Sequence, residues 1–199
     1  SFPIKTKKLE AVGHGIDINR FWLNSKNIEG IRHGANFLMV GRITKVKNLG
    51  YALEAFKKLN NQDLKFKIVG SSDYRSADYQ QELEKDFSDL IKDKRVEFAG
   101  SIENQFMPSI YGESHVLVNV TESGNIDKVV LEAMASGCLI ITSNPEFKDT
   151  VPDEFIVYPR DANQIFLAMQ KILKLEEVQK LQLRKKYIEY VSLNHGLQN

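Results

Sequence analysis

The chain of 199 residues predicts an α/β fold built on a doubly wound, Rossmann-like parallel sheet. Three observations carry that expectation. Strand-type and helix-type patterns alternate about six times, and such alternation builds a parallel sheet covered on both faces. The first three core strands each carry glycine immediately after their C-terminal ends, at Gly41, Gly70 and Gly100. In open α/β sheets ligands bind beyond those ends, where backbone must come close. Apolar and charged contents of 42% and 27% are those of an ordinary soluble globular domain.

Taken in order, Ser1 to Lys8 is basic and without period, and Leu9 to Val12 is a short strand candidate leading into Gly13-His14-Gly15. The G-x-G resembles the start of a dinucleotide fingerprint, but Ile18 stands where the third glycine belongs, and Asn19 to Phe21 do not begin an amphipathic helix. Trp22 to Gly34 reads as loop. Phe37 to Val40 is an apolar strand, followed by a basic loop ending at Lys47. Asn48 is placed to cap a helix whose Leu49, Ala52, Leu53, Phe56 and Leu59 keep helical spacing. Leu64 to Gly70 alternates as a strand, and Ser71 to Ala77 is a polar loop. Tyr79, Leu83, Phe87, Leu90 and Ile91 mark one further helix, before the short strand Val96 to Phe98.

Gln105 to Tyr111 predicts a brief helix and Val116 to Val120 a strand. Between Asp127, a fitting N-cap, and Gly137, a fitting C-terminal stop, lies a helix apolar on most sides. The strand Leu139 to Thr142 follows, then a turn over Pro145 to Thr150 and a strand at Phe155 to Tyr158. Asp161 caps a helix carrying Ile165, Met169, Ile172 and Leu173. Glu176 to Val191 reads as an amphipathic surface helix.

Composition removes several functions. A net charge of +1 marks no nucleic-acid binder. The lone Cys138 excludes an intramolecular disulfide, suits a reducing compartment and adjoins a core strand. No apolar run approaches the ~18 residues that span a bilayer, and no signal-peptide pattern is present, so the expected location is the cytoplasm. His14 and His33 have no acid or cysteine at ligand spacing, so no metal site is expected.

Two clusters remain for chemistry. Arg42 and Lys47 sit in the loop after the first core strand, where a guanidinium and an ammonium can clamp adjacent phosphates. With Lys45 beside them, the same residues also fit a solvated basic loop. The second cluster is the stretch from Glu122 to Ser143. Its turn, Ser123 to Asp127, opens a helix whose free N–H groups and dipole favour an anion. Within the helix Lys128, Glu132 and Ser136 form one polar stripe at i, i+4, i+8. A carboxylate buried there needs a partner, either Lys128 or a ligand hydroxyl. A basic clamp, an anion-receptive helix start and a carboxylate one turn deeper together describe a site for a nucleoside diphosphate. No Walker-type phosphate loop is present.

Gly15-Ile16-Asp17 with Phe21, Val40-Gly41-Arg42 with Lys47, Val69-Gly70, Val96-Glu97-Phe98-Ala99-Gly100 and Leu131-Glu132-Ala133-Met134-Ala135-Ser136-Gly137 stand in the order seen in glycosyltransferase family 4. Over about Gly13 to Leu173 the chain resembles the C-terminal, donor-binding half of these retaining, GT-B-fold enzymes. The resemblance implies Arg42 and Lys47 as the catalytic cations that hold the donor diphosphate. It implies Glu132 as the ribose ligand and the segment Phe98, Gly100, Ser101 as the lining of the nucleobase pocket. Gly70, Gly124, Asn125, Ile126, Asp127 and Lys128 complete the expected donor site.

One position departs from the pattern. The family's first glutamate stands eight residues before the second, and that position is Gly124 here, in a Gly-x-x-Asp-Lys version that a subset of members shares. Glu122 lies two residues too early, which puts the carboxylate contact to the donor sugar in doubt.

The implied chemistry is transfer of a hexose-type sugar from a UDP- or GDP-linked donor, with no cofactor, no metal and no protein nucleophile. The implied organisation is a linker and first strand from a missing N-terminal domain over 1–34, the nucleotide-sugar domain over 35–175, and a C-terminal helix and tail over 176–199. The acceptor, a glycan or a lipid, would be held by the missing domain, and peripheral membrane association of the full protein stays open. The chain by itself is expected to bind nucleotide weakly and to turn over nothing. Two other readings compete: a non-catalytic nucleotide-binding or scaffold module, motivated by Gly124, and a nicotinamide-dependent oxidoreductase, resting on Gly13-x-Gly15 alone.

Overall fold

Five short aliphatic runs, Asn36–Val40 (β1), Lys65–Val69 (β2), Val96–Phe98 (β3), Val116–Asn119 (β4) and Leu139–Thr142 (β5), pair in the order β3-β2-β1-β4-β5. Every pair is parallel. The computed structural model describes residues 15–22, 35–74, 76–122 and 127–197. The expected strand 9–12, Gly13, His14, the 23–34 loop with His33, and Ser123 to Ile126 lie outside them.

β4 and β5 are buried along their whole length, which is why they read as continuous apolar runs without alternation. The covering helices are Ile18–Trp22 (α1), Leu49–Lys58 (α2), Ala77–Asp86 (α3), Ser88–Lys92 (α4), Met107–Gly112 (α5), Lys128–Ala135 (α6), Ala162–Lys174 (α7) and Glu177–His195 (α8). They form two groups: α2 packs with α7, while α6 packs with α8, α5 and α1. The sheet is wound outward from β1 toward β2 and from β4 toward β5, so right-handed crossovers put α2 and α6 on opposite faces. β1 and β4 are neighbours whose chains leave in opposite directions. Their C-terminal ends therefore mark the switch point where such sheets open a crevice. Phe37, Phe56 and Phe66 fill the α2 side, with edge-on rings 5.8 and 6.2 Å apart.

The sequence expectations need five corrections. Asn19 to Phe21 do belong to a helix, α1, whose start is fixed by Arg20 N–H donating to Asp17 Oδ1 at 3.2 Å and whose Phe21 is buried. Asn48 does not cap α2 with its side chain. It sits in the left-handed region, and its Nδ2 donates to the Val120 carbonyl at 2.9 Å instead, tying the basic loop to the end of β4. The helix expected from Tyr79 to Ile91 breaks at Phe87, which leaves helical geometry as its ring enters the core. Phe155 to Tyr158 is no strand. A 3₁₀ turn takes Asp153–Phe155, and the Tyr158 carbonyl closes the turn before α7, leaving one bridge from Ile156 to Thr142.

The fifth correction is α8, which is not a plain surface helix. It buries Lys180, Arg184, Tyr187, Val191 and His195, one stripe at helical spacing, against α6. The stripe escapes a hydropathy reading because Lys and Arg bury their aliphatic stems along it. Its C-terminal end is tied to the start of the described chain: Ile16 N–H donates to the His195 carbonyl at 2.7 Å, and Leu197 N–H to the Ile16 carbonyl at 3.0 Å. Among the described residues, no helix is long and apolar enough to cross a membrane.

The buried stripe has a pH consequence. His115, just before β4, accepts from the Asn36 N–H through Nδ1 at 3.0 Å. Burial first, then the Arg184 and Lys180 charges against a smaller opposing effect of Glu177, lower its pKa from 6.5 to about 4. In the unfolded chain the ring takes a proton near its ordinary value, while the folded ring resists it. Stability from this group is thus present above pH 6.5 and is lost as pH falls toward 4. Thermal unfolding between pH 7 and 4.5 is expected to show a loss of about 1–2 kcal/mol attributable to His115, allowing for solvent screening. The slope should flatten in His115→Asn; an unchanged slope would assign the acid sensitivity to other groups.

Candidate functional site

The ends of β1, β2 and β3 meet through glycine. Gly41 N–H donates to the Val69 carbonyl at 2.9 Å, and Gly70 N–H to the Gly100 carbonyl at 2.8 Å. Gly70 is at φ 143, and a Cβ there would lie 1.9 Å from the Gly41 carbonyl oxygen. No other residue fits so close a backbone crossing. Beyond these ends opens a cleft of about 360 Å³, lined by Gly41, Gly70, Ser101, Asn104, Lys128 and Glu132 among others.

Glu132 forms the polar end of the cleft. Its helix, α6, starts where Asp127 Oδ1 accepts from the Val129 N–H at 3.2 Å, as a side-chain cap should. One turn on, Glu132 is only 8% exposed. Its Oε2 accepts from the Tyr111 hydroxyl at 3.0 Å, and Lys128 Nζ is 3.6 Å from its Oε1. Of the partners foreseen for the carboxylate, Lys128 stands beside it, and Glu132 also lines the cleft. Tyr111 is a third partner that the local pattern does not reveal. Burial, the neighbouring Glu132 charge and the hydrogen bond to it push the Tyr111 phenol well above its usual range, so it remains a donor.

The basic loop lies across Gly41 from the cleft. Lys47 runs over that glycine, where a Cβ would come within 3.1 Å of its Cε, and its Nζ is 3.9 Å from Asp127 Oδ2. Lys47 thus bridges the basic loop to the start of α6, joining the two clusters that the sequence presents 80 residues apart. Arg42 is exposed and lies outside the cleft lining. Both Asp127 oxygens have protein partners: besides the cap through Oδ1, Oδ2 accepts from Asn119 Nδ2 at 2.7 Å.

Of the other expected residues, Gly70, Ser101 and Lys128 line the cleft, and Gly100 contributes its carbonyl to the crossing. Ser101 Oγ donates to Ser71 Oγ at 2.8 Å. Phe98 lines a different hollow, about 650 Å³, with Ile91 and Val96 at the outer edge of β3. That hollow is larger than the cleft but holds none of the glycine ends or Glu132. Gly124, Asn125 and Ile126 lie outside the described residues. Glu122, two residues before them, is held by the Arg160 guanidinium through both oxygens, with Arg160 Nη2 to Oε2 at 3.0 Å. Arg160 lies 38 positions away on the chain, and no local signal announces it.

Residues 34–175 match the family described as glycosyl transferases group 1. Over 86% of the chain the sequence is 27% identical to an uncharacterized glycosyltransferase of Methanocaldococcus jannaschii, covering 46% of that protein. Over 65% of the chain it is 27% identical to a 41.2 kDa protein in the cps region of Klebsiella pneumoniae, covering 34% of it. The chain thus spans less than half the length of the curated relatives it matches. Among solved structures, the C-terminal domain of the group 1 glycosyl transferase LpcC from Francisella tularensis superposes with a TM-score of 0.77 at 21% identity, covering 92% of this chain and 100% of that one. Anabaena HepE in complex with UDP-glucose superposes with a TM-score of 0.78 at 16% identity, covering 94% of this chain and 53% of HepE. At such identities the likeness is one of fold, the C-terminal half of the GT-B architecture.

Proposed function

Because the chain belongs to the group 1 glycosyl transferases, we propose that its cleft is the donor site of a retaining enzyme of family 4, which takes a hexose from a UDP- or GDP-linked donor. The observation that carries this reading is Glu132: a buried carboxylate, one oxygen held by Tyr111, opening onto a cleft beyond the ends of β1 and β2. A carboxylate so placed accepts from paired ribose hydroxyls, and charge-assisted bonds of that kind are strong. HepE, a protein of the same fold, is solved with UDP-glucose, and the chemistry of that ligand suits this cleft.

In this reading the diphosphate lies between the cleft and the basic loop. As the glycosidic bond breaks, charge builds on the leaving phosphate oxygen. Arg42 and Lys47 stabilise that charge more than they stabilise the ground state, which is what accelerates the step. The pairing of Lys47 with Asp127 keeps its ammonium at the start of α6, beside the helix dipole. The acceptor, glycan or lipid, is held by a second domain, and the full protein works in the cytoplasm or at a membrane surface.

Calorimetry with UDP, GDP and ADP tests the reading. One of them is expected to bind, Arg42→Ala should weaken it about 10-fold through loss of a charge-assisted contact, and the isolated chain should transfer no sugar. Equal affinity in Arg42→Ala would remove that residue from the site. Failure of all three nucleotides to bind would favour the scaffold reading.

A further inference from the structure

The cleft carboxylate is not left to choose its own orientation. Glu132 stands on α6 and its one fully buried partner, Tyr111, on α5. The Tyr111 hydroxyl donates to Oε2 at 3.0 Å and leaves Oε1 on the side of Lys128, whose side chain is half exposed. A glutamate carboxylate turns freely about its last bond, and a donor that takes one oxygen fixes the plane of both.

The tyrosine is itself held. The Phe21 ring meets it edge-on at 5.9 Å, and the Cys138 thiol donates to its carbonyl at 3.4 Å. Phe21 belongs to α1, and the neighbouring Arg20 reaches a second residue of the cleft lining, donating to the Asn104 carbonyl and, at 3.1 Å, to Asn104 Oδ1. One short helix therefore contacts both the ring behind the carboxylate and Asn104.

We infer that Tyr111 is a positioning residue: by holding Oε2 of Glu132 it aims Oε1 at the ribose hydroxyls of a bound nucleoside diphosphate, and the contact of α1 with its ring keeps that aim. The inference rests on the donor-site reading above. It separates the affinity that comes from the ribose hydroxyls from the affinity that comes from base and phosphates. Tyr111 governs only the first.

The test uses the 199-residue chain, Tyr111→Phe, and calorimetry with UDP, GDP and ADP beside their 2′,3′-dideoxy counterparts. Phenylalanine keeps the ring and its packing on Phe21, and thermal unfolding checks that the variant is folded. For whichever nucleotide binds, Tyr111→Phe is expected to lose about 5–10-fold in affinity for the ribose form, the size of one mis-set charged hydrogen bond. The dideoxy form should bind unchanged. On a Glu132→Ala background the tyrosine change should add nothing, as a double-mutant cycle requires of residues acting through one another.

Equal weakening of both forms would make the tyrosine merely structural and overturn the inference, as would an undiminished ribose preference in a folded Tyr111→Phe. If that preference persists in Tyr111→Phe yet vanishes in Glu132→Ala, the inference alone fails and the donor site stands. If the wild-type chain binds no nucleotide, or shows no ribose preference, the donor-site reading of Glu132 fails and takes the inference with it.

Discussion

Replacing Gly70 by alanine is expected to cost about 4 kcal/mol or more of folding free energy, the range reserved for steric conflict at a special backbone position. The conflict is with backbone, not with a side chain that can swing aside: the new Cβ would sit 1.9 Å from the Gly41 carbonyl oxygen and 2.7 Å from its carbon. To relieve it, β1 and β2 must part at their ends, breaking the bonds from Gly41 to Val69 and from Gly70 to Gly100. Gly100→Ala is the control. It too stands at positive φ, 70, but nothing lies within 4 Å of its added Cβ. That variant should lose only about 1–2 kcal/mol of left-handed strain. Denaturant unfolding of both variants checks the difference; equal losses would mean that dihedral strain, not the crossing, governs Gly70.

The largest expected effect on binding is at Glu132. Glutamine there keeps an oxygen for the Tyr111 hydroxyl, so the packing of α5 on α6 is preserved while the charge is lost. Nucleotide affinity is expected to fall about 30-fold or more, as when a charged hydrogen-bond acceptor is neutralised in a desolvated site. Glu132→Ala should cost stability as well, roughly 1–3 kcal/mol, because it leaves the buried phenol without an acceptor. Calorimetry and thermal unfolding separate the two effects. A Glu132→Gln variant that binds nucleotide as the wild type does would confine the carboxylate to a structural role.

Local interactions were legible in the sequence and distant ones were not. The cap at Asp127, the pair Lys128 and Glu132, and the glycines after β1 to β3 all follow from spacing within one element or turn, and all stand in the structure. The parallel, doubly wound sheet follows from the alternation of strand and helix. Tyr111 and Arg160 do not, because each meets its acid only after separate elements have packed, at separations of 21 and 38 residues. α8 was misread for a different reason: its buried stripe is headed by Lys180 and Arg184, so polarity conceals the face that packing selects. Asn48 shows the limit of a propensity argument. An asparagine before a helix is a good cap, but Asn48 takes left-handed backbone in place of the extended backbone of an N-cap, and its amide N–H goes to the Val120 carbonyl.

The bridge between Ile16 and Gly196 has a mechanical meaning. Its two hydrogen bonds run between parallel segments, from Ile16 to His195 and from Leu197 back to Ile16. Because the two segments are parallel, Gly15 and Leu197 lie toward opposite ends of the same short ladder. A pull on both loads the two bonds in shear, together, where antiparallel ends would unzip one bond at a time. Tension applied through the flanking chain is borne at this clasp before it reaches the sheet.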